Sequence, residues 1–397
     1  MKIITLLLSL ITLLTSGLSM ANENKATQKL RIATFNVSME ALNYLPYVKG
    51  QTPKVEGNEL SSQLKNNHQQ IRNIAEIIQR VNPDIILLNE FDRENDSHQA
   101  LKLFISQYLN KSQQGQKAIN FPYFYQGSVN TGVPTPFDLN NDKINGDPIN
   151  DTYGFGYFPG HFGMALLSKY PINEQDIRTF QHFKWKDMPN ALKPIDPKTG
   201  KAWYSDEAWD NFRLSSKSHW DIPVTIGGKT LHVLASHPTP PVFDGPEDRN
   251  GKRNHDEIRL WTDYITPNKS NYLYDDNGVK GGIKPESAFV IMGDQNSSNV
   301  DGDAIKQGIT NLLAHPNIQD TKPSSHGGKA NNLDNPYSEN HTAHWGMRAD
   351  YVLPSKNSIT IINSGVFWPQ PEEDQFRLIK DRAASSDHRL VWVDISL

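Results

Sequence analysis

The chain has 397 residues, 37% of them hydrophobic, a formal net charge of −4, no cysteine and a mean hydropathy of −0.60. Its apolar content suffices for one large globular core or two small ones, and its hydropathy excludes a chain that resides mainly in a bilayer. Lys and Arg are spread along the chain, so no basic footprint for tight, sequence-independent nucleic-acid binding exists, and without cysteine the fold must rest on its core, with ions as the further support open to it, rather than on disulfides.

Residues 1–21 stand apart. Lys2 precedes a leucine- and isoleucine-rich run to Leu14, followed by Ser16, Gly17 and Ser19-Met20-Ala21. Charge, apolar run and small-residue cleavage site in that order predict a secretory signal peptide cut after Ala21, and the run is too short for a membrane span. The expected mature domain is 22–397, secreted or periplasmic, without stable membrane insertion and acting as a monomer.

Residues 30–37, Leu-Arg-Ile-Ala-Thr-Phe-Asn-Val, have the β-branched and aromatic content of a strand ending at Asn36. Ile71, Ile74, Ala75, Ile77 and Ile78 recur at helical spacing within 61–81, and Pro83 marks the stop. A second apolar strand over 84–91 ends on Glu90, completing a βαβ-like unit whose two strands each deliver a polar residue at the C-terminal end. A helix is expected over 101–108. From 112 to 160 the composition turns to Asn, Asp, Gly, Pro and aromatics without periodicity. A core strand and proline turn over 162–172 precede a second polar insert, 175–218, carrying Trp185, Trp203 and Trp209. Loops this long serve as lids or binding walls more often than as passive connections.

A hairpin is expected over 219–226 and 229–237 around Gly227-Gly228, delivering His237 at its end. Over 247–259, Arg249, Arg253, His255 and Arg259 alternate with Asp248, Asp256 and Glu257. Two readings stand there: a solvated helix start, or a phosphate-binding rim of Arg249, Arg253 and His255. The run 289–296, Phe-Val-Ile-Met-Gly-Asp-Gln-Asn, suits a strand buried on both faces that turns at Gly293. Asp294 and Asn296 share a face, so a carboxylate and an amide point at one spot and could hold a water molecule; an ordinary Asx turn is the alternative. A helix over 303–313, a polar loop over 321–344 and strands over 348–353, 359–366 and 388–395 follow, with Asp350 near the start of one and Asp387-His388 at the start of another. There is no fixed-period repeat and no linker that divides the mature chain.

In the first insert, Asp138, Asn140 and Asp142 repeat the Asp-x-Asn-x-Asp spacing of calcium loops, but Lys143 stands where an EF-hand has Gly and the twelfth position has no Glu. Structural Ca²⁺ and an ion-free acidic turn both remain open for this loop.

The strand ends together carry Asn36, Glu90, His237, Asp294, Asn296, Asp350, Asp387 and His388. Histidines, carboxylates and amides in this combination suit phosphoester hydrolysis, and hard oxygen donors favour Mg²⁺ or Mn²⁺ over zinc. The motifs Ile-Ala-Thr-Phe-Asn-Val, Leu-Leu-Asn-Glu-Phe, Ala-Ser-His-Pro, Met-Gly-Asp-Gln-Asn, Arg-Ala-Asp-Tyr-Val and Ser-Ser-Asp-His-Arg resemble, in order, the motif series of the endonuclease/exonuclease/phosphatase superfamily. The resemblance implies an α/β fold, a four-layered α/β sandwich of two mixed β-sheets face to face with helices outside. It also implies Glu90, Asn36 and Asp387 at the metal, Asp294 and Asn296 on the attacking water, His388 on the phosphoryl group held by Asp350, and His237 at the leaving oxygen. Ser38 departs from the abasic-endonuclease pattern, which has Asp there, and the mid-chain tyrosine of those enzymes has no clear counterpart.

The expected activity is therefore a secreted, metal-dependent phosphatase or phosphodiesterase acting on a small phosphate ester. The alternatives are a secreted endonuclease acting on extracellular DNA or RNA, a sphingomyelinase-like phospholipase supported only by Trp203 and Trp209, and an inactive calcium-dependent binding module.

Overall fold

The structure, a computed structural model, describes residues 28–397, so the expected leader over 1–21 lies outside the described residues. In chain order the first strands are β1 (Lys29–Met39), β2 (Ile85–Phe91), β3 (Tyr123–Tyr125), β4 (Met164–Ser168), β5 (Arg178–Thr179) and β6 (His219–Ile226). They are followed by β7 (Lys229–Ser236), β8 (Ala288–Asp294), β9 (Asp350–Pro354), β10 (Thr360–Val366) and β11 (Val391–Ser396). Two sheets form, ordered β10-β11-β1-β2-β4-β3 and β5-β6-β7-β8-β9. Only β1/β2 and β7/β8 pair in parallel, so both sheets are mixed, as expected.

The apolar run of β8 shows why it is continuous. Val290 and Met292 join the core between the sheets, while Phe289 and Ile291 join a second core beneath the helices on the far side. Strand residues alternate faces, and here both faces are buried, so neither set of positions can be polar. The helices are α1 (Glu59–Lys65), α2 (Gln69–Val81), α3 (Gln99–Phe104), α4 (Asp206–Asn211), α5 (Arg249–Tyr264), α6 (Gln307–Leu313) and α7 (His326–Asn331). Ile71, Ile74, Ile77 and Ile78 of α2 and Leu101 and Phe104 of α3 pack on the first sheet; Ile258, Trp261, Ile309 and Leu312 of α5 and α6 pack on the second. Helix, sheet, sheet and helix are the four layers.

Several elements differ from the sequence expectation. The helix expected over 61–81 is broken into α1 and α2: Asn67 takes φ 55°, and the His68 side chain accepts from the amide of Gln70 at 3.3 Å, capping a new helix. The helix expected over 303–313 starts only at Gln307, and the loop expected over 321–344 contains α7. The second insert is not an open wall. Trp185, Tyr204 and Phe212 are buried in the core beneath α5, with Trp203 and Trp209 packed against them. These tryptophans are core material, which removes the observation offered for a lipid-binding surface.

Candidate active site

The topology brings the expected residues to one edge. Parallel neighbours end together, so β1 and β2 deliver Asn36 and Glu90 side by side, and β7 and β8 deliver His237 and Asp294. Antiparallel neighbours begin where those strands end. Asp350, first residue of β9, therefore pairs with Asp294, and His388 arrives just before β11, which runs antiparallel to β1. Because the two sheets face each other, residues distant in sequence meet across the gap.

Asp294 is the centre. Its Oδ2 accepts from Nδ2 of Asn36 at 3.1 Å and lies 3.4 Å from Nε2 of His237 and 3.6 Å from Nε2 of His388. Its Oδ1 accepts from the amide of Asn296 at 2.8 Å, and its own amide donates to Oδ1 of Asn89 at 3.2 Å. Burial alone would raise the Asp294 carboxyl, but His388 and His237 outweigh it and hold the group well below the usual carboxylate range. Gly293 lets this strand end approach β7: at φ 136°, a Cβ there would stand 2.0 Å from the carbonyl oxygen of Ser236.

His388 donates from Nδ1 to Oδ2 of Asp350 at 2.9 Å, and the same oxygen accepts from Oγ1 of Thr342 at 2.7 Å. This fixes the tautomer and turns Nε2 toward Asp294. Burial opposes a charge on His388, yet Asp350 and Asp294 prevail and push it up to about 10. His237 is the opposite case: burial, reinforced by the neighbouring Lys217, keeps its imidazole below the ordinary value despite Asp294. One histidine is cationic at neutral pH and the other neutral. The exposed indole of Trp345 stands edge-on over His388 with ring centroids 4.8 Å apart.

Glu90, Asp294 and His237 offer ligand atoms within 4.8 Å of one another, as do Asp294, Asp350 and His388. In the first group the two carboxylates suit a hard divalent cation, and His237, whose Nδ1 is buried without a hydrogen-bond partner, stands beside them. Burial and the nearby Glu40 raise the Glu90 carboxyl, partly opposed by His237. A half-buried carboxylate in that state gains from a cation. Asp387 falls in neither group; its Oδ1 accepts from Oγ of Ser38 at 3.4 Å and its Oδ2 lies 3.7 Å from Arg382. Ser38, which stands where the abasic-endonuclease pattern has Asp, bonds Asp387. Asn296 donates a side-chain proton to the carbonyl of Pro238 at 3.1 Å, leaving its other amide proton and its oxygen for a ligand.

The remaining sequence candidates lie apart. Arg253 is buried, and its guanidinium donates to the carbonyls of Leu214 at 2.8 Å and Arg213 at 3.1 Å, tying the second insert to α5. Arg249 bonds Glu247 and stacks on Trp203, while His255 pairs with Asp256 at 2.9 Å. None of the three joins the Asp294 cluster. In the acidic loop, Asp138 accepts the amides of Asp142 and Lys143, and Asn140 and Asp142 accept amides of the same turn, so these oxygens are occupied by backbone donors.

Residues not anticipated from sequence hold the site in place. The Glu257 carboxylate of α5 accepts the amides of Ser216 and Thr239, each at 2.6 Å, clamping the loop before β6 to the loop after β7. Asn254, one turn earlier, donates to the carbonyls of Thr239 and Gln295. The only sequence signal for these was acidic and amide residues on the inward face of a helix.

Against curated proteins, the chain finds no match. Among solved structures, it is similar to the endonuclease/exonuclease/phosphatase from Beutenbergia cavernae DSM 12333, with 16% identity, a TM-score of 0.50, and coverage of 93% of this chain and 72% of that one. A beta toxin variant from Staphylococcus aureus with bound magnesium ions has 14% identity and a TM-score of 0.43, covering 92% of this chain and 99% of that one. The human Nocturnin catalytic domain with bound sulfate has 13% identity and a TM-score of 0.43, covering 93% and 94%. At such identities the likeness is one of fold. The sequence model of the Endonuclease/Exonuclease/phosphatase family matches residues 33–388, nearly the whole described chain. The chain therefore belongs to the endonuclease/exonuclease/phosphatase family of metal-dependent phosphoester hydrolases.

Proposed function

We propose that the protein is an exported phosphatase or phosphodiesterase that hydrolyses small phosphate esters with Mg²⁺ or Mn²⁺. The observation that carries this reading is Asp294 set between His237 at 3.4 Å and His388 at 3.6 Å, with the half-buried Glu90 in one cluster with Asp294 and His237. Family enzymes use divalent metals. Glu90 and Asp294, with Asn36 beside them, would hold the ion, which would supply neutralisation of the phosphoryl charge.

The roles of the chain's own groups follow from their charge states. A carboxylate held as low as Asp294 is a weak base, so it acts mainly by accepting a hydrogen bond from the attacking water and aligning it on phosphorus. The amide of Asn296 steadies that carboxylate through Oδ1. His388, cationic and fixed by Asp350, donates from Nε2 to a non-bridging oxygen, where negative charge grows. His237 is neutral, which suits a hydrogen-bond donor to the departing oxygen better than a strong acid.

The export reading rests on the leader-like pattern over 1–21, and the small-ester reading on the modest net charge and on catalytic side chains that are almost entirely buried. The test is a side-by-side assay of the purified chain with Mg²⁺ or Mn²⁺ on p-nitrophenyl phosphate, bis-p-nitrophenyl phosphate and plasmid DNA. Turnover of a small ester without DNA nicking is expected. Efficient DNA degradation with negligible small-ester turnover would replace this reading with the nuclease.

A further inference from the structure

Lys217 has no role in the account above, yet it is a lysine only 6% exposed. It lies just before β6, and the register that pairs His219 with Ser236 places 217 and 218 alongside 237 and 238 when continued. Its backbone is fixed on both sides: its carbonyl accepts from the amide of Asn130 at 2.9 Å, and the preceding amide, of Ser216, is held by Glu257 at 2.6 Å. These bonds fix the Lys217 backbone at the strand edge that carries His237.

A buried ammonium is costly unless it is paired or hydrogen-bonded. Among the described residues, Nζ of Lys217 takes part in no hydrogen bond or ion pair; burial lowers its ammonium from the ordinary value, and the charges of Glu257, Glu90 and Asp294 oppose that. Glu257 is committed to the amides of Ser216 and Thr239. Glu90 and Asp294, which share a cluster with His237, are the carboxylates that would hold a divalent cation. With those carboxylates so engaged, the N–H donors of Lys217 have no protein acceptor among the described residues. An anionic oxygen brought in by a ligand is the partner that would complete them.

We infer that Lys217 is a catalytic residue whose ammonium donates to a non-bridging oxygen of the substrate phosphoryl group from the β6–β7 side, while His388 contacts the group from the β9–β11 side. The inference rests on the phosphoester-hydrolase reading. Two cationic donors on either side of Asp294 would grip one phosphoryl group and leave its third oxygen to the metal side. A tetrahedral phosphoryl end, rather than a neutral ester or an amide, is the chemistry this arrangement selects.

The test compares the Mg²⁺-loaded wild type with Lys217→Met, which keeps the volume of the stem and removes the charge. Steady-state turnover of the best small ester and competitive inhibition by inorganic phosphate are measured, together with the Mg²⁺ half-saturation. Lys217→Met is expected to lower kcat about 100-fold, as loss of one oxyanion donor does, and to weaken phosphate inhibition about tenfold, while the Mg²⁺ requirement does not rise. Phosphate inhibition of Lys217→Met equal to that of wild type would overturn the assignment while leaving the hydrolase reading intact. A wild type with neither ester turnover nor phosphate inhibition would overturn the small-ester reading, and the inference with it. Should the variant fail to fold, a crystal of the wild type with Mg²⁺ and phosphate decides: Nζ within hydrogen-bond distance of a phosphate oxygen, about 3 Å, supports the inference, and Nζ turned away overturns it.

Discussion

Nδ1 of His388 stands 2.9 Å from Oδ2 of Asp350, and Thr342 donates to that same oxygen at 2.7 Å. The pair sets both the tautomer of His388 and its positive charge. Replacing Asp350→Asn keeps the shape and removes the charge that supports the imidazolium. We expect kcat to fall about 100-fold or more with the melting temperature little changed. A variant within a few-fold of wild type would remove His388 from the reaction.

Glu90 is held at φ 53° at the end of β2, so its carboxylate is aimed into the site by a backbone conformation that most residues avoid. Glu90→Gln keeps the side chain's length and removes one negative charge. The expected outcome is a rise of at least about tenfold in the Mg²⁺ concentration for half-maximal activity. An unchanged titration would show that the ion sits elsewhere.

Asp294→Ala removes the acceptor of Asn36 and of the Asn296 amide as well as the carboxylate between the two histidines. Turnover should fall about 1,000-fold, with the fold retained as judged by circular dichroism. Activity equal to wild type would sink the assignment of the reaction centre.

Gly293→Ala tests the packing beneath the chemistry. The new Cβ would meet the Ser236 carbonyl oxygen at 2.0 Å, and φ of 136° is strained for any side chain. Neither obstacle is a flexible side-chain end, so the backbone of β7 or β8 must move. Chemical denaturation should show a loss of about 2–5 kcal/mol, the sum of overpacking and strain.

His219 provides a pH signature away from the reaction centre. It is buried beneath α5, its Nε2 donating to the carbonyl of Glu257 at 2.8 Å and its Nδ1 accepting from Oγ of Ser215 at 2.7 Å. Burial lowers it from 6.5 to about 4, so between these values the unfolded chain binds more protons than the folded one. Its contribution to stability is full above pH 6.5 and is lost as pH falls toward 4. Between pH 7 and pH 5 the wild type should lose roughly 2 kcal/mol of unfolding free energy through this group. His219→Phe should flatten the slope by that amount; parallel pH profiles for the two proteins would refute the attribution.

Asn36 and Asp294 are 258 residues apart in the chain and bond each other in the site. Each could be picked out separately because each follows a run of buried strand residues, a local pattern that depends only on side-chain period and burial. The same holds for Glu90 and His237, while Asp350 and His388 stand where such a run begins. Their order along the chain, matched to a family series, also carried the two-sheet architecture. What remained hidden were groups whose importance lies in a contact. Arg253 has the composition of a phosphate ligand and is spent on loop carbonyls, Trp203 and Trp209 look like surface aromatics and are packed on a core, and Lys217 looks like an ordinary polar loop residue.

By itself, the sequence determined where strands end and which of those ends carry carboxylate, amide or imidazole, because alternation and burial are written within a few neighbouring residues. Only the tertiary structure decided which of these groups meet across the sheets, which are committed to backbone amides, and which, like Nζ of Lys217, have no protein partner among the described residues. Those outcomes depend on the charge and solvent around each atom, and both are supplied by residues from the opposite sheet and from α5.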